Sequence, residues 1–273
     1  MPAALDRGQE TGPFRAPIDV MTMQAADNPI LRTREVTRRF GGLTAVNKVS
    51  LALATGEIRA LIGPNGAGKT SLFNLITGVL PCSSGEIEFK GRQIQHLPPF
   101  RRFKLGMARS FQLVNLFADL SVEQNIRVAV QAALKRTTHP FEWISPKAVE
   151  QKMQEILDRF RWIKDPSEKA GSLNYAEQKK LETLMALTSD PELLLLDEPT
   201  AGIDEDDIAM MIEMIMSSAQ DRTILLTDHD IRFVMKIAGR ITVLDQGSII
   251  ADGTPEEIAA DPLVDEVYFG GTS

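Results

Sequence analysis

The sequence is poor in the residues that build disulfide frameworks and metal clusters. It has one cysteine, Cys82, and three histidines among its 273 residues. A single cysteine excludes an internal disulfide and any zinc site that needs several cysteines, and it fits a reducing compartment such as the cytoplasm. Apolar runs reach only about five residues, as at 208–212, whereas a membrane-spanning helix needs about 20. We therefore expect neither a metal-cluster protein nor a chain that crosses a membrane.

Basic residues are also in deficit. Lys and Arg number 30 against 37 Asp and Glu, which gives a net charge of −7. A general nucleic-acid binder neutralises phosphates with a basic surface, so we expect no nucleic-acid partner. The apolar share of 43% and the charged share of 25% are those of a globular protein. The length suggests one or two domains, at about 150 residues each.

Residues 1–29 contain several prolines and few periodic apolar positions, so we interpret them as a disordered N-terminal extension outside the fold. Alternating apolar residues from 31 to 53 indicate strands, and 86–94 indicates a hairpin. An apolar stripe at 149–160 predicts an amphipathic helix, for which core packing is favoured over partner binding. Short apolar runs at 193–196, 223–226 and 241–244 predict further strands. The pattern is that of an α/β fold over 30–273, with a helical region inserted at about 98–188.

The segment 63–70, GPNGAGKT, fits the phosphate-loop pattern GxxxxGK[ST]. It follows a strand predicted at 57–62 and opens a helix predicted at 70–77, so a glycine-rich turn without a ligand is the disfavoured explanation. The glycines allow backbone N–H groups to curl around a phosphate, and the helix N-terminus adds positive potential. Lys69 would reach the outer phosphates, and the Thr70 hydroxyl would bind Mg²⁺. The residues expected to contact the nucleotide here are Gly63, Pro64, Asn65, Gly66, Ala67, Gly68, Lys69, Thr70 and Ser71.

A phosphate loop needs an acidic element that holds the metal, and Asp197 and Glu198 follow the apolar run at 193–196. We expect Asp197 to bind Mg²⁺ directly or through water, and Glu198 to act as general base on the attacking water. This strand is predicted to lie beside the strand that precedes the loop. Lys69 and Asp197 are 128 positions apart, so a sizeable insertion must separate the two strands.

With these motifs in this order, the chain resembles the nucleotide-binding subunits of ATP-binding-cassette (ABC) transporters over about residues 31–270. The resemblance implies a P-loop NTPase fold with an antiparallel β lobe and an inserted helical subdomain, which binds ATP and Mg²⁺ and couples ATP hydrolysis to transport. It implies that Phe40 stacks on adenine, although such a residue is more often part of a core. It also implies that Gln112 senses Mg²⁺ and water, that His229 contacts the γ-phosphate, and that the loop ending at Asp204 crosses a subunit interface.

The segment that matches the family's signature departs from its pattern. Asn174 replaces a serine and Ala176 replaces a glycine in LNYAEQ, the counterpart of LSYGEQ. In this family each ATP lies between one subunit's phosphate loop and the other subunit's signature. An asparagine amide can still donate a hydrogen bond, whereas an extra Cβ could weaken a close backbone approach. We therefore expect a heterodimer with a second ATPase subunit, with a homodimer as the alternative.

Finer likeness lies in FGGLTAV at 40–46, ARSFQL at 108–113 and the tail from 245. These segments resemble the ATPase subunits of branched-chain amino acid importers and their relatives for urea or amides. The resemblance implies permease subunits, an indirect solute-binding protein, and a peripheral location on the cytoplasmic face of the inner membrane. The alternative within the family is the ATPase of lipopolysaccharide or lipid export.

Other ABC proteins act in translation, chromosome structure or DNA repair. The single phosphate loop, the 128-residue spacing and the lone cysteine disfavour these three classes, in that order. A low-turnover regulatory ATPase is a further alternative, suggested by Ala176. Glu198 and His229 favour active hydrolysis instead.

Overall fold

The computed structural model describes residues 28–110, 114–137, 144–160, 162–219 and 222–269. The extension predicted at 1–29 lies outside these ranges except for its last two positions. In chain order the strands are β1 (Leu31–Phe40), β2 (Leu43–Leu53), β3 (Ile58–Ile62), β4 (Ser84–Phe89), β5 (Arg92–Gln93), β6 (Met107–Arg109), β7 (Leu193–Asp197), β8 (Thr223–Thr227), β9 (Arg240–Asp245) and β10 (Ser248–Gly253). The helices are α1 (Lys69–Thr77), α2 (Pro99–Leu105), α3 (Val122–Thr137), α4 (Pro146–Arg159), α5 (Tyr175–Thr188), α6 (Glu205–Ser218), α7 (Ile231–Ile237), α8 (Pro255–Ala259) and α9 (Pro262–Phe269), with a 3₁₀ turn at Ala170–Ser172.

The smaller sheet has the strand order β2-β1-β4-β5, and each neighbouring pair is antiparallel. Inward-facing residues such as Leu51 and Leu53 are buried, whereas their neighbours in the strand are partly exposed. This alternation is what a sheet with one covered face requires. The predicted hairpin consists of β4 and β5, and the predicted antiparallel lobe is confirmed.

The larger sheet has the order β10-β9-β3-β8-β7-β6. Neighbouring strands from β9 to β6 are parallel, and β10 is an antiparallel edge strand. The prediction that the strand of Asp197 lies beside the strand preceding the phosphate loop is wrong, because β8 lies between β7 and β3. A crossover between parallel strands can pass over a neighbouring position, so the order of motifs along the chain does not fix the order of strands.

The strand β7 is buried on both faces, which explains its run of four leucines. Leu194 and Leu196 pack in a cluster with α3 to α7, whereas Leu193 and Leu195 pack with α1 and the antiparallel sheet. Continuous apolar runs are typical of parallel strands covered on both faces. Because β3, β7 and β8 are parallel, their carboxyl ends meet at one edge of the sheet, where ligands of such folds bind.

The helices α2 to α5 fall in the range 98–188, where the helical subdomain is predicted. The range is not entirely helical, because β6 lies within it and pairs with β7. The two boundaries themselves stay predictions. The apolar stripe of α4 packs inward, with Val149, Met153 and Ile156 in the core cluster, as predicted. Among the described residues, no helix combines the length and apolar character that crossing a bilayer requires.

Candidate functional site

The glycine-rich loop joins β3 to α1 and is held tightly between two other strands. Gly63 and Gly68 have φ angles of 151° and 102°, a region that favours glycine. A Cβ at Gly63 would lie 2.0 Å from the carbonyl oxygen of Leu244, and one at Gly68 would lie 2.3 Å from that of Ala45. Any larger residue would push the loop away from β9 or β2. Both glycines are therefore required by packing as well as by backbone conformation.

The N-terminus of α1 faces the loop without a side-chain cap or an acidic residue in its first turn. The first N–H groups of a helix have no acceptors within the helix, and together with the helix dipole they favour an anion. The predicted helix and its C-terminal cap at Gly78 are confirmed, since Gly78 is left-handed and its N–H bonds to the carbonyl oxygen of Leu75. The loop and helix together fit a phosphate group.

The Lys69 side chain lies along the loop. Its Nζ donates hydrogen bonds to the carbonyl oxygens of Gly63, at 2.6 Å, and Pro64, at 3.0 Å. Burial lowers the pKa of Lys69, and the negative charges of Glu198 and Asp197 oppose that shift. The fold therefore brings the loop lysine close to both carboxylates despite their separation in the sequence. A phosphate would replace two neutral acceptors with charged ones, which form stronger hydrogen bonds.

Asp197 ends β7 with only 1% of its side chain exposed. Its Oδ2 accepts a hydrogen bond from Nη2 of Arg109 at 2.7 Å, and its Oδ1 accepts one from Oγ1 of Thr227 at 2.9 Å. Each carboxylate oxygen has two lone pairs, so both can accept one further partner. Mg²⁺ is commonly held by one or two carboxylates, water and substrate phosphates. The Asp197 carboxylate and the Thr70 hydroxyl supply oxygen donors that fit this ion.

Glu198 and His229 form a pair at the ends of the neighbouring strands β7 and β8. The imidazole Nε2 lies 2.7 Å from Oε1 of Glu198, whose side chain is 10% exposed. Glu198 has a φ of 51°, a left-handed conformation that costs a non-glycine residue about 1–3 kcal/mol and persists where the surroundings hold it. Its N–H donates to the carbonyl oxygen of Thr227 at 2.9 Å. The two residues predicted to act on water and the γ-phosphate are therefore in contact.

Asp228, which is not among the site residues predicted from the sequence, organises the turn that carries His229. Its carboxylate accepts hydrogen bonds from the N–H groups of His229 at 2.7 Å, Asp230 at 3.0 Å and Thr200 at 3.0 Å. These bonds tie the loop after β8 to the loop after β7. An acidic residue just after a predicted buried strand is the sequence signal that could have identified it, since a buried carboxylate needs hydrogen-bond donors.

Phe40 lies at the end of β1 with 42% of its surface exposed. The guanidinium carbon of Arg38 lies 4.5 Å from the centre of its ring. The ring is therefore not a core residue, which removes the alternative explanation raised by the sequence. The same β1–β2 hairpin contacts the phosphate loop through the carbonyl of Ala45.

Gln112 lies outside the described residues, and its predicted role stays a prediction. The chain that leads to it is described and ends beside the acidic site. The Oγ of Ser110 accepts a hydrogen bond from the N–H of Asp197 at 3.3 Å. Arg109, which is also absent from the predicted site residues, is the charged residue that ends the otherwise apolar β6.

Asn174 and Asp204 both act as helix N-caps. The Oδ1 of Asn174 accepts from the N–H of Glu177 at 2.9 Å, and the Glu177 carboxylate accepts from the Asn174 N–H at 3.1 Å. This is a capping box. The Oδ1 of Asp204 accepts from the N–H of Asp207 at 3.0 Å. In the described part of the chain, their side-chain hydrogen bonds stay within their own helices, and Ala176 lies in the first turn of α5.

The altered signature and the loop at 201–204 contact each other. A Cβ on Gly202 would lie 3.0 Å from Cε1 of Tyr175. The two segments that the resemblance assigns to a subunit interface therefore share one surface.

A parallel sheet that runs into a glycine-rich loop and helix, with acidic residues at a second strand end, defines a P-loop NTPase. A family model described as ABC transporter matches residues 46–201. A second model, described as Branched-chain amino acid ATP-binding cassette transporter, matches residues 248–272.

The chain also aligns with curated proteins over most of its length. The high-affinity branched-chain amino acid transport ATP-binding protein LivG of Salmonella typhimurium is 38% identical over 251 residues, 89% of this chain and 98% of that protein. BraF of Pseudomonas aeruginosa, with the same description, is 36% identical with the same coverage.

Solved structures agree with this similarity. A nucleotide-free ATP-binding cassette from an ABC transporter has a TM-score of 0.77 at 27% identity, covering 89% of this chain and all of that one. An ATP-binding cassette in its ADP conformation has the same TM-score and identity, covering 89% of this chain and 99% of that one. The chain belongs to the ATP-binding subunits of ABC transporters. The predicted family, fold class and ATPase class are confirmed.

Proposed function

We propose that this chain is the ATP-hydrolysing subunit of an importer for branched-chain amino acids or related small polar solutes. The Glu198–His229 contact at 2.7 Å beside the loop lysine carries the hydrolytic part of the proposal. The relatives named for branched-chain amino acid transport, which align over 89% of the chain, support the import part. The tail match at 248–272 supports it independently of the ATPase motifs.

Nucleotide binding begins with the phosphate loop. The Lys69 ammonium exchanges its two carbonyl acceptors for phosphate oxygens, and the N–H groups at the start of α1 donate to the same phosphates. The Thr70 hydroxyl and the Asp197 carboxylate would hold Mg²⁺, and the ion would supply positive charge to offset that of the phosphates. Phe40 is exposed on the hairpin that contacts the loop, where it can stack on the adenine ring.

Hydrolysis requires a base, and Glu198 is placed for that role. His229 holds the Glu198 carboxylate through Nε2, so the carboxylate can accept the proton of the attacking water at its other oxygen. Asp228 fixes the backbone of His229, which keeps the imidazole at the strand end. We assign to His229 the contact with the γ-phosphate, because its ring has a second nitrogen besides the Nε2 atom that contacts Glu198.

The native assembly pairs this chain with a different ATPase subunit. Asn174 uses its Oδ1 to cap its own helix, so it offers a partner's nucleotide only its amide Nδ2 group. Ala176 adds a Cβ where the family places glycine. A homodimer would carry this alteration at both composite sites, whereas a heterodimer carries it at one.

The permease subunits bind beside β6, the strand that leads to Gln112, on the cytoplasmic side of the membrane. This strand lines an open cavity of about 290 Å³ together with α2. Phe100 borders it and is 61% exposed. An exposed aromatic at an apolar cavity is the kind of surface that a partner helix covers. Phe100→Glu is expected to release the permease while ATP affinity is unchanged.

Purification from native membranes tests the proposed function. We expect a permease and a second ATPase subunit to accompany the chain. After reconstitution in liposomes with the solute-binding protein, we expect ATP-dependent uptake of labelled leucine or of a small polar solute such as urea. Co-purification with ribosomes, DNA or a lipopolysaccharide-export permease would contradict the proposal.

A further inference from the structure

Arg109 is an almost fully buried arginine that joins three elements. Its Nη2 donates to Oδ2 of Asp197 at 2.7 Å, with 8% of the arginine side chain exposed. Its Nη1 donates to Oδ1 of Asn74 at 2.6 Å and to Oγ1 of Thr77 at 3.2 Å, both on α1. The guanidinium carbon also lies 5.7 Å from the centre of the Phe73 ring. One side chain from β6 thus bridges the phosphate-loop helix and the end of β7.

Burial of the Arg109–Asp197 ion pair carries a desolvation cost. A buried ion pair loses its hydration, and good geometry with additional hydrogen bonds is needed to offset that loss. The planar guanidinium meets this need because its two arms can hold different partners at fixed angles. One arm is fixed by Asn74 and Thr77, so the other arm holds the Asp197 carboxylate in one place relative to α1.

The neighbouring residue of Arg109 acts on the backbone of Asp197. Ser110 accepts a hydrogen bond from the Asp197 N–H, and Thr227 donates to the other carboxylate oxygen. The carboxylate therefore has a defined orientation before any ligand binds. Partners of this kind around a metal-binding carboxylate typically contribute 10- to 100-fold to metal affinity.

We propose that Arg109 is a positioning residue that holds the Asp197 carboxylate at a fixed place relative to the phosphate-loop helix and so prepares it to bind the metal of the nucleotide complex. The inference rests on the proposed function, because it takes Asp197 as the metal ligand. Asn74 contributes to this positioning, since it fixes the guanidinium of Arg109 through a hydrogen bond.

The test compares two affinities of the full chain. ADP binding is measured in EDTA, and Mn²⁺ binding to the ADP-loaded protein is measured by the loss of free Mn²⁺ signal in electron paramagnetic resonance. Arg109→Met is expected to weaken Mn²⁺ binding about 10- to 100-fold while metal-free ADP affinity changes less than about twofold. Arg109→Lys is expected to be intermediate, because an ammonium can reach Asp197 without forming the bridge.

Two further variants separate positioning from general stability. Asn74→Ala leaves the Arg109–Asp197 pair in place and is expected to weaken Mn²⁺ binding in the same direction, by less; it tests the inference even where Arg109→Met does not fold. Arg59→Met removes another buried arginine, paired with Glu57 at 2.6 Å at the opposite end of β3. This control is expected to lower the melting temperature without changing Mn²⁺ affinity.

Unchanged or tighter Mn²⁺ binding in Arg109→Met, or in Asn74→Ala where the first variant does not fold, would overturn the inference alone. Failure of the unaltered chain to bind ADP would overturn the proposed function as well. The two failures are therefore distinguishable.

Discussion

Two regions of the molecule differ in how their polar groups are prepared for a nucleotide. At the sheet edge, Asp197 is held by two donors and Glu198 contacts His229, and both carboxylates are buried. At the start of α5, Asn174 is exposed and its Oδ1 serves its own helix. The first region is arranged to receive this chain's nucleotide, whereas the second would face a nucleotide on a partner. One chain can therefore keep its half of one composite site complete while the half that it offers to its partner's nucleotide is altered.

The largest effect is expected from removing the base in the first region. Glu198→Gln keeps the shape of the side chain and a hydrogen bond to His229 but cannot accept a proton. We expect hydrolysis to fall about 10²- to 10⁴-fold, with ATP binding retained and an ATP-bound dimer accumulating. Phosphate release and size-exclusion chromatography measure the two results. Glu205→Gln, at an exposed ion pair with Arg232, is the control and should change neither; a comparable loss in the control would contradict the assignment.

The next effect is on nucleotide affinity. Lys69→Met removes the ammonium that lies along the loop. Hydrogen bonds to charged groups contribute about 1.5–3 kcal/mol each, so ATP affinity should fall about 10- to 100-fold. Equilibrium binding of a fluorescent ATP analogue measures it. Lys90→Met, at an exposed ion pair with Glu192, is the matched control. Equal affinities of Lys69→Met and the unaltered chain would show that the loop lysine does not contact the phosphates.

Restoring the family's residues at the start of α5 should increase hydrolysis by the chain alone. The double variant Asn174→Ser with Ala176→Gly recreates the family's signature, and serine still caps the helix. Steady-state ATP hydrolysis by the chain without a partner is expected to rise several-fold, although glycine in the helix costs up to about 1 kcal/mol of stability. Asn174→Ser alone is the control for the cap. A turnover that stays at the level of the unaltered chain would show that Asn174 and Ala176 do not limit hydrolysis.

The smallest effect is expected from Phe40, on the β1–β2 hairpin that contacts the phosphate loop. Phe40→Ala removes an exposed ring, and aromatic stacking contributes about 0.5–1.5 kcal/mol. ATP affinity should fall severalfold or less, and the effect should be absent for inorganic triphosphate, which has no base. Leu43 lies in the same hairpin and is also exposed, so Leu43→Ala serves as the control. An equal loss for ATP and triphosphate would contradict stacking.

The sequence predicts those parts of the fold that depend on local patterns. The phosphate loop, α1 with its cap at Gly78, and the buried run that forms β7 follow from glycine spacing and apolar periodicity. The capping box at Asn174 could also have been predicted from the sequence, since Asn174 and Glu177 have the required spacing.

The rest depends on contacts between distant segments. The position of β8 between β3 and β7 is set by how crossovers pack. The role of Arg109 arises from partners 35 and 88 positions away. Neither has a periodic or spacing signal, because a single charged residue at a strand end fits many environments. Phe40 continued an alternating pattern, and only the structure shows that it lies at the surface.

The ATPase rate of the isolated chain, measured over a range of protein concentrations, distinguishes a subunit that needs a different partner from one that works as a homodimer. We expect slow hydrolysis without positive cooperativity, because each homodimer site would combine a complete half with an altered one. Addition of the second ATPase subunit should raise the rate. Brisk, cooperative hydrolysis by the chain alone would show that the altered signature supports turnover in a homodimer and that no second ATPase subunit is needed.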